Sequence, residues 1–255
     1  GPVGLTMARL LQNAGIRVKV YERDGNAGAR IWGGTLDLHR DSGQKALAAA
    51  GLLEDYYRLS LPMGVKFADA RGDIIAIKDI SPEHYKDNPE ISRNTLRSLL
   101  LEHLQSGTVL WDHRVVAADE KGNQWQLSFE NGQTATADLL IVAGGGNSKI
   151  RSLVTDEVVR ETGSFIIQGD IDRPEENIPS FYRLCDGHRL MVASGGQLLV
   201  VNPLNNNSLT YGFIFQQPDS WLNNRTVDFT NNQVATEYLI SRLAGWSEIV
   251  HILIR

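Results

Sequence analysis

Apolar side chains at Leu5, Ala8, Leu10 and Leu11 recur with a helical period, and Gly15 follows them. The spacing predicts a helix over 3–14. From Ile16 to Glu22, apolar residues then alternate with arginine and lysine, which predicts a strand. Gly25 and Gly28 mark a loop, and a second helix is expected over Gly43–Ala50, closed by Gly51. Residues 65–80 read as a hairpin about Arg71-Gly72-Asp73. Leu96, Leu99, Leu100 and Leu104 define one face of a helix expected over 94–105. Strands are expected near 109–118, 125–130 and 133–136, with turns at Lys121-Gly122-Asn123 and Asn131-Gly132. The apolar run within 138–143 carries the pattern of a strand buried on both faces, and it ends in Gly144-Gly145-Gly146. Beyond Leu153 the texture changes. Strands over 165–170, 198–202 and 209–215 are separated by polar loops, including Asn205-Asn206-Asn207. Asp219 and Trp221 are expected at a helix start. The pattern predicts a first lobe of α/β type and a second built on a mostly antiparallel sheet.

Composition narrows the functional classes. The 255 residues are 42% hydrophobic and 22% charged, as in a globular chain with ample core. A net charge of −5 and the lack of a basic run argue against nucleic acid or an acidic membrane surface as partner. The one cysteine, Cys185, makes neither an internal disulfide nor a multi-thiolate metal site, so it reads as a passive thiol in a reducing, cytoplasmic setting. The six histidines show no metal-ligand spacing, and no metal site is expected. The longest apolar run is far too short to span a bilayer.

The first residues carry the clearest chemistry. Gly1-x-x-Gly4 leads into a helix, and the following strand ends in Glu22, 18 positions after Gly4. Glycine allows a backbone to approach a pyrophosphate, and a helix N-terminus offers N–H donors to it. An acid about 20 residues on accepts hydrogen bonds from ribose hydroxyls. A carboxylate there repels a 2′-phosphate, which favours FAD or NAD over NADP at this position. The fingerprint's usual first strand and first glycine do not precede Gly1, so the sequence is expected to be part of a longer chain.

Gly1-Pro2-Val3-Gly4-Leu5, Tyr21-Glu22-Arg23-Asp24 and Gly33-Gly34-Thr35-Leu36-Asp37-Leu38-His39 together resemble the group A flavin-dependent monooxygenases. The chain is most similar to their tetracycline-inactivating branch. Asn88-Pro89-Glu90-Ile91, Arg93-Asn94, Ser148-Lys149-x-Arg151, Gln168-x-Asp170, Arg189-Leu190-Met191 and Asn202-Pro203 extend the resemblance over essentially the whole chain. It implies a Rossmann-like FAD-binding domain of the para-hydroxybenzoate hydroxylase type, with a mostly antiparallel substrate domain. The expected segments are 1–64 and 81–155 for the FAD domain, 65–80 for a hairpin inserted toward the substrate domain, and 156–255 for the substrate domain.

The resemblance further implies FAD and NADPH as cofactors. Molecular oxygen would be activated as a flavin C4a-hydroperoxide and one atom delivered to a small-molecule substrate by a monomeric enzyme. The flavin carries the chemistry, so no catalytic side chain is expected. By the same resemblance Gly4, Glu22, Arg23, Asp37 and Arg93 contact FAD, and Arg30 meets the nicotinamide cofactor. Gln168 and Arg189 hydrogen-bond the substrate, with Met191 and Gly212 lining the pocket. Read without the resemblance, Arg93 pairs with a helix acid, Asp37 is a turn residue and Gln168 is a solvated ladder residue. Where the branch carries an aromatic and a histidine, this chain has Val200 and Thr210. The family's later glycine-aspartate motif belongs beyond Arg255. The expected activity is inactivation of a tetracycline-type antibiotic. The alternatives are hydroxylation of another phenolic or polyketide compound, or a non-catalytic remnant.

Overall fold

A computed structural model describes residues 1–29, 33–205, 207–217, 227–229 and 231–255. Arg30, Asp219 and Trp221 lie outside the described residues. In chain order the first elements are α1 (Pro2–Asn13), β1 (Val20–Tyr21), β2 (Thr35–Asp37), α2 (Gly43–Ala50) and α3 (Leu53–Leu59). The hairpin β3 (Val65–Ala68) and β4 (Ile74–Lys78) follows, then β5 (Glu90–Ser92), α4 (Arg93–Glu102) and β6 (Val109–Leu110). Next come β7 (Val115–Lys121), β8 (Gln124–Phe129), β9 (Thr134–Ala137) and β10 (Ser164–Asp172). The last elements are α5 (Pro174–Asn177), α6 (Pro179–Cys185), β11 (Arg189–Ser194), β12 (Gln197–Asn205), β13 (Ser208–Gln216), α7 (Asn232–Arg242) and α8 (Glu248–His251).

The chain forms two compact units. The first comprises Gly1–Ser60 and Ile91–Arg160, the second Leu61–Glu90 and Glu161–Arg255.

In the first unit, the apolar faces of the helices meet around Leu5, Leu47, Ala50, Leu52, Tyr56, Ile91, Leu96 and Leu100. Gly51 closes α2 in the left-handed conformation at φ 76°, where a side chain is strained. β1 and β6 pair in parallel, Val20 against Val109. A separate antiparallel meander, β7-β8-β9, packs Ala118, Leu127 and Phe129 against Ile150.

Three expected strands differ in this unit, and the one expected near 109–118 divides into β6 and β7, which join different sheets. The strand expected from Ile16 to Glu22 is confined to Val20–Tyr21, because its ladder partner β6 offers just Val109 and Leu110. The stretch 138–143 is not a strand. Leu140 and Val142 pack on the meander's core, whereas Leu139 is 71% and Ile141 42% exposed. A run covered on one face, without a ladder neighbour among the described residues, leaves its backbone groups no reason to extend.

The second unit holds a six-stranded sheet in the order β10-β13-β12-β11-β3-β4. Its pairings are antiparallel except for the parallel contact between β11 and β3. One face packs Leu190, Val192, Leu199, Val201, Leu209 and Phe213 against Phe181, Cys185, Leu239, Leu243, Trp246 and Val250 from the helical side. Burial pushes the Cys185 thiol up to about 12, as suits a packing residue. Gly169 lies opposite Tyr211, and a Cβ there would stand 2.4 Å from the tyrosine Oη. Glycine is therefore what lets the Tyr211 ring lie across the strand.

Candidate functional site

Each unit brings together one set of the residues singled out by the sequence. In the first unit, the Gly1 carbonyl accepts the opening helical bond of α1 from Leu5 N at 3.1 Å. A Cβ on Gly4 would touch the Cβ of Ala143 at 3.4 Å, so the absence of a side chain permits close approach of the helix start to the end of the 138–143 stretch. Glu22 follows β1, and its backbone is fixed from both directions. Glu22 N donates to Leu110 O at 2.9 Å, and His113 N donates to Glu22 O at 2.8 Å. Its largely buried carboxylate accepts from Gly1 N at 3.3 Å and from Asp24 N at 3.3 Å. The start of α1 and the acid are therefore close together.

Arg93 begins α4, where its N donates to Gly34 O at 3.2 Å. A Cβ on Gly33 would meet the Arg93 side chain at 3.4 Å. Arg93 thus lies against the Gly33-Gly34 segment that leads into Asp37 on β2. Among the described residues Arg93 makes no ion pair, so the helix-acid alternative has no partner there. Asp37 has the His39 ring 3.8 Å away. Arg23 is exposed beside Glu22.

A neighbouring pair had no signal in the sequence. Arg97, buried in α4, donates to Asp24 at 3.1 Å and lies over the Trp111 ring at 5.4 Å. It ties the loop after Glu22 to α4. Its partner is 73 residues away in sequence, beyond the reach of local pattern.

In the second unit the register does the assembling. Gln168 is opposite Gly212, Gly212 opposite Val200, Val200 opposite Met191, and Met191 opposite Phe67. Direct partners on adjacent strands project to the same face, so these residues form one row across the sheet. The neighbouring row of Ile167, Phe213, Leu199, Val192 and Ala68 points into the core. Arg189, two residues before Met191, shares the open face. Gln168, Arg189, Met191 and Gly212 therefore stand together on the side of the sheet opposite the core.

Thr210 is buried. Its hydroxyl donates to Asp170 at 2.5 Å and accepts from Asn205 Nδ2 at 2.6 Å. The position where the tetracycline-inactivating branch carries histidine is here committed to bonds within the sheet. The second pair that sequence reasoning missed joins Arg189 to Glu90 by an ion pair, the Glu90 side chain being 4% and that of Arg189 26% exposed. Nearby, Lys66 reaches Asp186 at 3.2 Å, and the His188 ring stands 2.8 Å from Asp79.

Among the described residues no helix is long and apolar enough to cross a membrane.

The FAD binding domain family (FAD_binding_3) matches residues 1–251. A monooxygenase of Penicillium thymicola, penA, is 26% identical over 217 residues, covering 78% of this chain and 49% of that protein. The chain spans about half the length of the curated relatives it matches. Among solved structures, Klebsiella pneumoniae HpxO complexed with FAD and uric acid superposes with a TM-score of 0.79 at 22% identity, over 100% of this chain and 62% of that one. The tetracycline destructase Tet(51) gives a TM-score of 0.69 at 18% identity, covering 95% and 60%. The fold is thus the mixed α/β fold of flavin monooxygenases, and the tetracycline-inactivating branch is not singled out within it.

Proposed function

The chain belongs to the FAD binding domain family, and on that premise we propose that it is the FAD-holding part of an NADPH-consuming monooxygenase that inserts one oxygen atom into an electron-rich ring. The carrying observation is the convergence of Gly1, Gly4 and the Glu22 carboxylate at the start of α1. The donor set fits FAD. The helix N-terminus offers N–H groups to a pyrophosphate, and Glu22 offers two acceptor oxygens to ribose hydroxyls. Arg93 and Asp37 hold the flavin side of the cofactor, Arg23 flanks its adenine end, and Arg30 receives the nicotinamide cofactor. FAD, when bound, supplies the redox and oxygen-activating chemistry.

The protein's own contribution is orientation. The Gln168 amide can both donate to and accept from a ring oxygen, and Arg189 donates. Met191 and Gly212 provide a low, apolar stretch of sheet between polar neighbours, where a flat ring can lie and displace water. The first substrate class is a tetracycline-type antibiotic, supported by the spacing of Gln168, Arg189 and Met191. A second reading, another phenolic or polyketide compound, is favoured by two observations. Val200 occupies the centre of the row without offering an aromatic surface, and the Thr210 hydroxyl is already engaged. The test is incubation with FAD, NADPH, oxygen and tetracycline, followed by mass spectrometry. Gain of one oxygen atom that depends on NADPH supports the first reading. Unchanged drug alongside oxygenation of a phenol panel supports the second, and no oxygenation of any ring contradicts both.

A further inference from the structure

The open face of the six-stranded sheet carries a guanidinium, but not a free one. Arg189 is paired with Glu90, whose carboxylate is almost wholly buried. Both partners are suspended from the same short segment. Leu61 and Glu90 exchange backbone bonds in both directions at 2.8 Å, and three residues on, Gly64 O accepts from Arg189 N at 2.9 Å. Gly64 itself is walled in, since a Cβ there would stand 2.6 Å from the His188 ring and 2.7 Å from Lys78 O. The geometry fixes the acid and the arginine relative to one another before any ligand arrives.

The consequence is chemical. A guanidinium carries five N–H donors, and a carboxylate occupies at most two or three of them. Arg189 keeps donors for a ligand on its more exposed side, while Glu90 cancels its charge. The other charges by register on this face are Lys78, opposite Val65 at the sheet edge, Asp170, which is bonded to Thr210, and Asp172, opposite Ser208. With one further cation and two further anions, they leave the face without net positive charge. A neutral oxygen acceptor meets directed N–H groups, whereas a carboxylate meets the Glu90 charge behind them.

We propose that Glu90 is a positioning residue that neutralises Arg189 and so makes this face select an uncharged amide, carbonyl or phenol oxygen over a carboxylate. The proposal rests on the reading of Arg189 as facing substrate. It names a charge class of substrate that the fold alone does not.

The test compares isosteric ligands that differ in charge, 4-hydroxybenzamide against 4-hydroxybenzoate and anthraquinone-2-carboxamide against its carboxylate. Binding is measured by calorimetry on the whole chain, with and without FAD. Wild type is expected to prefer the amide of a pair by about tenfold or more, the size of one lost or repelled hydrogen bond to a charged group. Glu90→Gln should shift the ratio toward the carboxylate by about tenfold, Glu90→Asp should largely preserve it, and Arg189→Gln should abolish it. A purely structural role for Glu90 would weaken both members of a pair alike and leave the ratio unchanged. An unchanged ratio, a wild type that takes the carboxylate as well as the amide, or a wild type that binds none of the four would overturn the proposal. If Glu90→Gln does not fold, the wild-type ratio and Arg189→Gln still decide. FAD retention, read in the same samples, separates the outcomes. A chain that takes no flavin contradicts the cofactor site, while the ligand ratio measured without FAD still judges Glu90.

Discussion

The two units solve the same problem, burying one face of a sheet, with unequal completeness. In the second, six strands share one ladder and one continuous core, and every row of side chains is either inside or on the open face. In the first, the parallel pairing of β1 with β6 spans two residues per strand, and the apolar stretch 138–143 leaves Leu139 and Ile141 in contact with water. An antiparallel strand can be completed by its neighbour in sequence, as in β11-β12-β13, whereas a parallel strand depends on partners brought from far along the chain. Local pattern therefore specifies the β11-β12-β13 part of one ladder directly and says less about the pairing of β1 with β6.

The sharpest way to test that contrast is truncation of matched apolar residues. Phe213→Ala, in the core of the second unit, should cost about 3–5 kcal/mol, read by urea denaturation followed by circular dichroism. A loss below ~1 kcal/mol would mean that this core is not the organising one. Next in size is a comparison of glycines. Gly169→Ala forces a Cβ against the Tyr211 ring and should cost about 1–3 kcal/mol, as overpacking does. Gly4→Ala meets Ala143 at 3.4 Å and should change stability by less than about 1 kcal/mol, although it narrows the approach to the helix start. Equal losses at the two positions would contradict the packing described. The smallest effect is expected at Leu139→Ala, within about 0.5 kcal/mol, as for an exposed position. Leu140→Ala, on the covered side of the same stretch, should cost about 1–2 kcal/mol in the same denaturation experiment, since its side chain is partly buried. Loss at Leu139 matching that at Leu140 would show the stretch to be covered on both faces after all.

Much of this was legible in the sequence, and the reasons are local. The bounds of α2 followed from Gly43 and Gly51, and β10, β12 and β13 from alternation between polar turns, whereas β11 was not anticipated. Periodicity also fixed which residues share a face, so that Gln168, Met191 and Gly212 fall in one row once the register is known. Side-chain pairs across long separations were not legible. Nothing in the stretch around Arg97 announces Asp24, and nothing around Arg189 announces Glu90. The stretch 138–143 was misread because an unbroken apolar run states that burial is favourable without stating that a partner is there. Thr210 lies directly opposite Asp170 on the adjacent strand, and no local pattern announces that its hydroxyl closes a bond to that side chain.

The most direct test of the central claim, that Gly1, Gly4 and Glu22 form an FAD-holding constellation, is a titration of the chain with FAD followed by flavin fluorescence, repeated on Glu22→Gln. The account predicts saturable binding that weakens about 10–100-fold in the variant, the loss of a hydrogen bond to a charged acceptor. Binding that is indifferent to the substitution, or no saturable binding at all, would contradict it.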